Sequence, residues 1–248
     1  WYQGKDVYEP HNIATFNDTT GAFIPYRNSS GRGNGKYVPM NWNRKNYGQV
    51  KLIFKPWAGF SILSSTIYDQ VNYRDFDRSY KLNPSGDLKR FRTGFTQMVK
   101  MTHAVTAETF YDLGVTSFFK EYKHFAYEDP NDPRYVHPNV GLQLPFSFKT
   151  GGTNNSRFKR ETLTVLGKFD LTSQVTRTHQ IKTGVEVKQH RMTYEDITIR
   201  PVQEELAFDT GTSDPFITTD IPPDSSIYAA HYDRNPIEAS FYIQDKME

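Results

Sequence analysis

The sequence predicts an all-β chain whose antiparallel strands run up and down as part of a transmembrane β-barrel with long extracellular loops. Three observations lead there. Apolar and polar residues alternate with period two over stretches longer than a globular strand. Short and long connections alternate strictly along the chain, as periplasmic turns and extracellular loops do. No apolar run approaches the ~18–20 residues of a membrane-spanning helix, whereas barrel strands average to near neutrality.

The bulk composition is compatible with this. The 248 residues are 15% aromatic, mostly Tyr and Phe, which suits a wall whose alternate residues meet lipid. The absence of cysteine removes disulfide scaffolds and thiolate metal sites. The 30 basic and 28 acidic residues leave a net charge of +2 without a basic stripe, so no nucleic-acid partner is expected. Trp1 is not preceded by Met or a signal peptide, and Met247-Glu248 falls within a strand pattern. The chain is therefore expected to be an internal fragment of a longer polypeptide, with about seven strands of a larger barrel.

Residues 1–46 are rich in Asn, Gly, Pro and Tyr and form a loop-rich segment leading into the barrel portion, 47–248. In the first hairpin, Val50, Leu52 and Phe54 face Phe60 and Ile62 across Pro56-Trp57-Ala58-Gly59, with Ile53, Leu63 and Ile67 on the opposite, polar face. In the second, Phe95, Val99 and Met101 face Tyr111, Leu113 and Val115 across Ala104–Glu108, which sets Lys100 opposite Asp112. The third is the cleanest. Leu163, Val165, Gly167, Phe169 and Leu171 alternate with Thr164, Leu166, Lys168 and Asp170, and Ile181, Thr183, Val185 and Val187 with Lys182, Gly184, Glu186 and Lys188. Folding about Thr176 places Leu171 opposite Ile181, Val165 opposite Val187 and Asp170 opposite Lys182. A seventh strand starts near Pro236, with Ile237, Ala239, Phe241 and Ile243 on one side.

The connections between hairpins, about 74–92, 126–157 and 195–235, are long. Stretches 60–73, 110–125 and 179–194 exceed the ~9–11 residues a tilted strand needs to cross hydrocarbon. Aromatics gather at both ends: Trp57, Phe60, Phe110 and Tyr111 near the short turns, and Tyr73, Phe118, Phe119, Tyr122 and Tyr194 toward the long loops, as two interfacial belts would.

Several segments resemble the barrel portion of TonB-dependent outer-membrane receptors. They are Tyr80-Lys81-Leu82-Asn83-Pro84-Ser85-Gly86, Lys100-Met101-Thr102-His103, Thr109-Phe110-Tyr111-Asp112-Leu113 and Asp129-Pro130-Asn131-Asp132-Pro133-Arg134-Tyr135, then Gly167–Gln174 with His179–Glu186, and Phe241–Glu248. The resemblance runs from about residue 47 to the end. It implies an internal portion of a barrel of about twenty-two strands. It also implies a bacterial outer-membrane location, lipid as a partner, and coupling to the TonB complex through a plug domain that this chain lacks. The expected role is active uptake of a scarce or large solute: a metal chelate, cobalamin, an oligosaccharide or a peptide.

The charges on the polar strand faces, Lys100, Asp112, Lys168, Asp170, Lys182, Glu186 and Lys188, are expected to face the lumen. Tyr127, Arg134, Tyr135, Phe208 and Tyr228, in the long loops, are the expected solute contacts, since aromatic and Arg side chains suit that role. The dispersed histidines, among them His103, His124, His137, His179 and His190, do not predict a metal site. A loop calcium ion is the one cofactor the loop carboxylates Asp129, Asp132, Asp209, Asp214, Asp220 and Asp224 admit, though no calcium-loop pattern is present. Gly31, Gly33 and Gly35 lack the Lys-Ser/Thr of a phosphate loop, and no G-x-S-x-G elbow occurs, so no enzyme is expected. Two alternatives remain: a barrel anchoring a surface lipoprotein or other outer-membrane partner, and a soluble glycan-binding β-sandwich.

Overall fold

The computed structural model describes residues 3–5, 14–17, 22–25, 37–80, 83–135, 152–202 and 219–247. Within 1–46 it has four short strands: β1 (Gln3–Lys5), β2 (Ala14–Asn17), β3 (Ala22–Pro25) and β4 (Tyr37–Pro39), with β1 paired to β4 and β2 to β3. The main sheet follows: β5 (Trp42–Phe54), β6 (Phe60–Arg74), β7 (Lys89–Ala104), β8 (Thr109–Phe125), β9 (Ser156–Gln174) and β10 (His179–Thr198). After the two-residue strands β11 (Arg200–Pro201) and β12 (Thr219–Asp220), β13 (Ala229–Arg234) and β14 (Ile237–Met247) complete it. These eight strands form one antiparallel up-and-down sheet in which β5 to β10 pair in sequence order and β13 and β14 both pair with β10. No described helix is long and apolar enough to cross a membrane.

The last two strands lie along the same side of β10 in one register. Met192 lies opposite Arg234 and Gln189 opposite Ile237, and both pairs sum to 426. Residues 229–247 therefore follow a single path, interrupted at Asn235-Pro236. The His190 amide donates to the Pro236 carbonyl at 2.9 Å, but proline has no N–H to return the bond. Seven strand paths result, as the alternation predicts. The seventh begins at Ala229 rather than near Pro236, because Ala-Ala-His-Tyr-Asp-Arg carries no apolar alternation. The first begins at Trp42, five residues before Tyr47.

The sequence pairing of all three hairpins is two residues out. Leu171 lies opposite Thr183, not Ile181, and Val165 opposite Gln189, not Val187. Asp170 lies opposite Gly184, and Lys182 opposite Thr172. Lys100 lies opposite Gly114, and Asp112 opposite Thr102. Phe54 lies opposite Ile62, not Phe60. For two of the hairpins the cause is visible in the turn. Val105-Thr106 and Val175-Thr176 open their turns alike, with the threonine hydroxyl accepting from an amide two residues on: Glu108 N at 3.2 Å and Thr178 N at 3.3 Å. Val105 N then bonds Thr109 O and Val175 N bonds His179 O, centring each hairpin one residue later than expected. A two-residue slip preserves parity, so every residue keeps its face.

One face is apolar toward the turns. It carries Val50, Leu52 and Phe54 on β5, Val99 and Met101 on β7, Leu113 and Val115 on β8, Val165 and Phe169 on β9, Val185 and Val187 on β10, and Phe241 and Ile243 on β14. Phe169 is 37% and Val185 42% exposed, so this band is not packed inside the chain. On β8 it runs from Tyr111 to Phe119, roughly 26 Å of strand. At the turn end the rings of Trp57, Phe60, His103, Tyr111 and Phe169 touch in sequence across four strands and a turn, with centroids 4.5–5.9 Å apart. Beyond Phe119 the same face becomes charged, with ion pairs Glu121–Lys123 (3.1 Å), Lys159–Glu161 (3.0 Å) and Arg191–Asp233 (3.3 Å).

The opposite face is polar and pleated around glycine. Gly184 is covered by Tyr242, whose hydroxyl donates to Asp170 at 2.5 Å. A methyl at position 184 would meet the Phe169 carbonyl oxygen at 2.9 Å as well as both of these side chains. Because one of the three is backbone, Gly184→Ala is expected to destabilise the sheet by about 1–3 kcal/mol, seen as a lower urea midpoint for unfolding.

The buried apolar side chains lie at the loop end rather than in the middle of the sheet. Ala126, Tyr127, Tyr135 and Ile199 form the buried apolar cluster, with Leu88 and Phe125 also buried. Three long connections meet there: Asn83 Nδ2 donates to Gly152 O (2.9 Å), Asn154 N to Gly86 O (2.8 Å), and Ile199 N to Asn155 O (2.9 Å).

Candidate functional site

The seven strand charges expected to share one face do so, and most are paired. Lys100 Nζ reaches Asp112 Oδ2 diagonally at 3.0 Å, Lys168 reaches Asp170 at 3.3 Å, and Lys188 reaches Glu186 at 2.9 Å. Lys182 stands 6.0 Å from the Tyr242 ring centroid. The three ion pairs account for six of the seven charges.

Toward the loops the same face changes character. One cross-strand row runs Arg92 (β7), Tyr122 (β8), Arg160 (β9), Tyr194 (β10) and Tyr232 (β13), each directly opposite the next. The row nearer the loops holds Arg90, His124, Phe158 and Asp196, and the row nearer the turns holds Lys120 and Arg234. The rings interlock. His124 stacks on Phe158 at 5.3 Å, Phe158 meets Tyr194 edge-on at 5.2 Å, and Tyr194 lies parallel to Tyr232 at 4.9 Å. Side chains opposite one another across a ladder meet in this way. Tyr73, Phe118, Tyr122 and Tyr194, expected in an interfacial belt, thus stand on the polar face. Of that group only Phe119 is on the apolar one.

The electrostatics of this region are unbalanced. Among the described residues Arg92, Lys120, Arg160 and Arg234 form no ion pair. Arg92, Lys120 and Arg160 are exposed. Two carboxylates share this part of the face: Asp69 lies over Gly94, in the row of Lys120 but outside ion-pair distance of it, and Asp196 accepts the Tyr194 hydroxyl at 3.3 Å. Arg90 pairs with Asp75 at 3.3 Å.

The loop residues expected to contact solute are placed differently. Tyr127 and Tyr135 are 3% and 0% exposed and pack edge-on at 5.1 Å. Asp129 and Asp132 each accept a backbone amide two residues on, from Asn131 and Arg134, so the two Asp-Pro steps are successive turns. Arg134 forks onto Asp132 at 2.9 and 2.7 Å and lies 4.2 Å from the Tyr127 ring centroid. That fork holds the Asp132 carboxyl below its ordinary range, while burial pushes the Tyr135 phenol up. Tyr127 is met by Lys89 and Arg157, both on the apolar side of the sheet, so this loop folds over the face opposite the Arg–Tyr row. Tyr228 stacks with Arg200 at 4.2 Å. Phe208, His137, Asp209 and Asp214 lie outside the described residues.

Asp129 and Asp132 spend their oxygens on turns, and among the described residues no three His, Asp or Glu side chains converge as a metal cage. Beneath the β6–β7 connection, burial raises the Asp87 carboxyl and lowers the Arg74 guanidinium from their ordinary values.

The chain matches no family model, no curated protein and no solved structure. The assignment of a role therefore rests on the sheet's chemistry.

The Arg–Tyr row was not found from the sequence. Its members sit one per strand, about 30 residues apart, and only the register joins them. The signal was present in the parity, since Arg92, Tyr122, Arg160 and Tyr194 are all even-numbered, the polar parity of β7 to β10.

Proposed function

We propose that this chain forms part of the wall of a bacterial outer-membrane transporter, which takes up a scarce or large solute using energy coupled through a TonB complex. One observation carries the reading. A single antiparallel sheet presents an exposed apolar band about as tall as hydrocarbon on one face and paired charges on the other. Short turns gathered at one end and long connections at the other support the same orientation, with turns periplasmic and loops outside. Strands such as β9 and β10, 19 and 20 residues long, overshoot the ~9–11 needed to cross, and their loop-side ends are charged on both faces. The sheet is open, with β5 and the β13–β14 path as its edges. In hydrocarbon such edges require further strands, because unsatisfied backbone groups are not tolerated there. The resemblance to TonB-dependent receptors supports transport over simple anchoring.

The test uses the full-length protein in lipid vesicles. With no cysteine in this chain, a nitroxide can be attached at Val185→Cys or Glu186→Cys. The label at 185 is expected to be accessible to oxygen but shielded from a water-soluble nickel chelate, and the label at 186 the reverse. Equal nickel access at both positions would remove the basis for the reading.

A further inference from the structure

The polar face carries two kinds of charge. On the turn-side half, Lys100, Lys168 and Lys188 each hold a carboxylate within 3.3 Å. On the loop-side half, Arg92, Lys120, Arg160 and Arg234 hold none, although they belong to the same sheet and the same face. The division is one of degree, since Lys182 below lies near the Tyr242 ring and Arg90 above pairs with Asp75, but the open cations above stand together in adjacent rows.

We propose that the Arg92–Tyr122–Arg160–Tyr194–Tyr232 row binds an acidic, polyhydroxylated solute bearing at least two carboxylates. This rests on the transporter reading, which makes the polar face a lumen. A guanidinium is a planar fork of donors matched to a carboxylate and stays charged at every physiological pH. Arg92 and Arg160 stand two strands apart, about 10 Å between their backbones. They therefore suit two separate carboxylates rather than one. Between and beside them stand the phenols of Tyr122, Tyr194 and Tyr232; the Tyr194 hydroxyl donates to Asp196 and the Tyr122 hydroxyl bonds His124, which leaves both with acceptor capacity for a hydroxyl-rich framework. The rings lose little freedom on binding, because stacking already fixes them: Tyr194 and Tyr232 are parallel within 2°. Lys120 and Arg234, one row nearer the turns, extend the positive potential inward along the path a solute would take. The described residues of the loop that carries Tyr127 and Tyr135, 126–135, fold over the other face.

The experiment measures binding of trigalacturonate, a sugar acid, and α-1,4-galactotriose, its uncharged counterpart, to the full-length protein in detergent by calorimetry. The expected result is preference for trigalacturonate, weakened by added salt, with a loss of about tenfold or more in the double variant Arg92→Gln/Arg160→Gln. Lys159→Gln, which removes a cation from the opposite face, is expected to leave the affinity unchanged. Absence of a preference for the acid would overturn the proposal. So would full affinity in the double variant, or an equal loss in Lys159→Gln. The nitroxide measurement at 186 separates the two levels of failure. If 186 is water-accessible and 185 is in lipid, a negative binding result removes only the acidic solute. If 186 is not water-accessible, the lumen itself is removed.

Discussion

Val185→Arg is expected to destabilise the protein in a bilayer by ~2–4 kcal/mol, the cost of an arginine on the lipid side of a barrel near mid-membrane. The position is chosen by its neighbours. Val185 lies opposite Phe169 on one side and Phe241 on the other, and Phe169 in turn lies opposite Leu113. The substitution thus places a guanidinium amid apolar side chains on three strands, with no carboxylate on that face before Asp245 and Glu161. Denaturant titration of the protein refolded in vesicles reads the effect. A cost below about 0.5 kcal/mol, ordinary for a solvated surface position, would mean that water and not lipid meets this face.

Tyr135→Ala is expected to have an effect of similar size but confined to one end of the molecule. Tyr135 is fully buried against Tyr127, and its hydroxyl donates to the Tyr127 carbonyl at 3.4 Å. Truncating a buried aromatic costs about 3–5 kcal/mol. This side chain stabilises a loop and not the sheet, so the loss appears as local opening of residues 126–135. Trypsin reports it directly, because Arg134 precedes Tyr135 and the bond between them becomes extended and accessible. Cleavage there is expected to accelerate roughly a hundredfold, the population change that about 3 kcal/mol implies. The register of β8 and β9 and the Arg–Tyr row remain intact. Global loss of the β-sheet signal in this variant would contradict a loop-only role.

The all-β, up-and-down antiparallel order was legible because period two survives errors that other signals do not. A two-residue slip in each hairpin moves Leu171 from Ile181 to Thr183 but leaves both faces as read, since parity alone assigns the face. The register itself was not legible. It depends on which hydroxyl closes the turn, and Thr106 and Thr176 look like ordinary strand residues until their bonds to Glu108 and Thr178 are seen. Strand ends were read short where polar residues take over, as at Ala229–Arg234 and at Glu195–Thr198. For the site, composition identified the turn-side charges correctly as sharing a face. It singled out Tyr127, Arg134 and Tyr135 for their chemistry while their geometry commits them to each other. The Asp-Pro-Asn-Asp-Pro-Arg run is a pair of locked turns, and Arg134 is spent on Asp132 and on the ring of Tyr127. The Arg–Tyr row escaped because it exists only across strands.

The missing donor at Pro236 divides the final strand into two lengths that need not act together. Below it, Ile237–Met247 is tied to β10 along an uninterrupted ladder, which hydrocarbon would enforce. Above it, Ala229–Arg234 is a six-residue zipper standing in water, and it carries Tyr232. That upper zipper can unfasten and refasten without disturbing one bond of the lower ladder. The outermost ring of the stacked row thus sits on the upper length of the edge, beyond the break at Pro236, and holds that length to β10 through its stack on Tyr194.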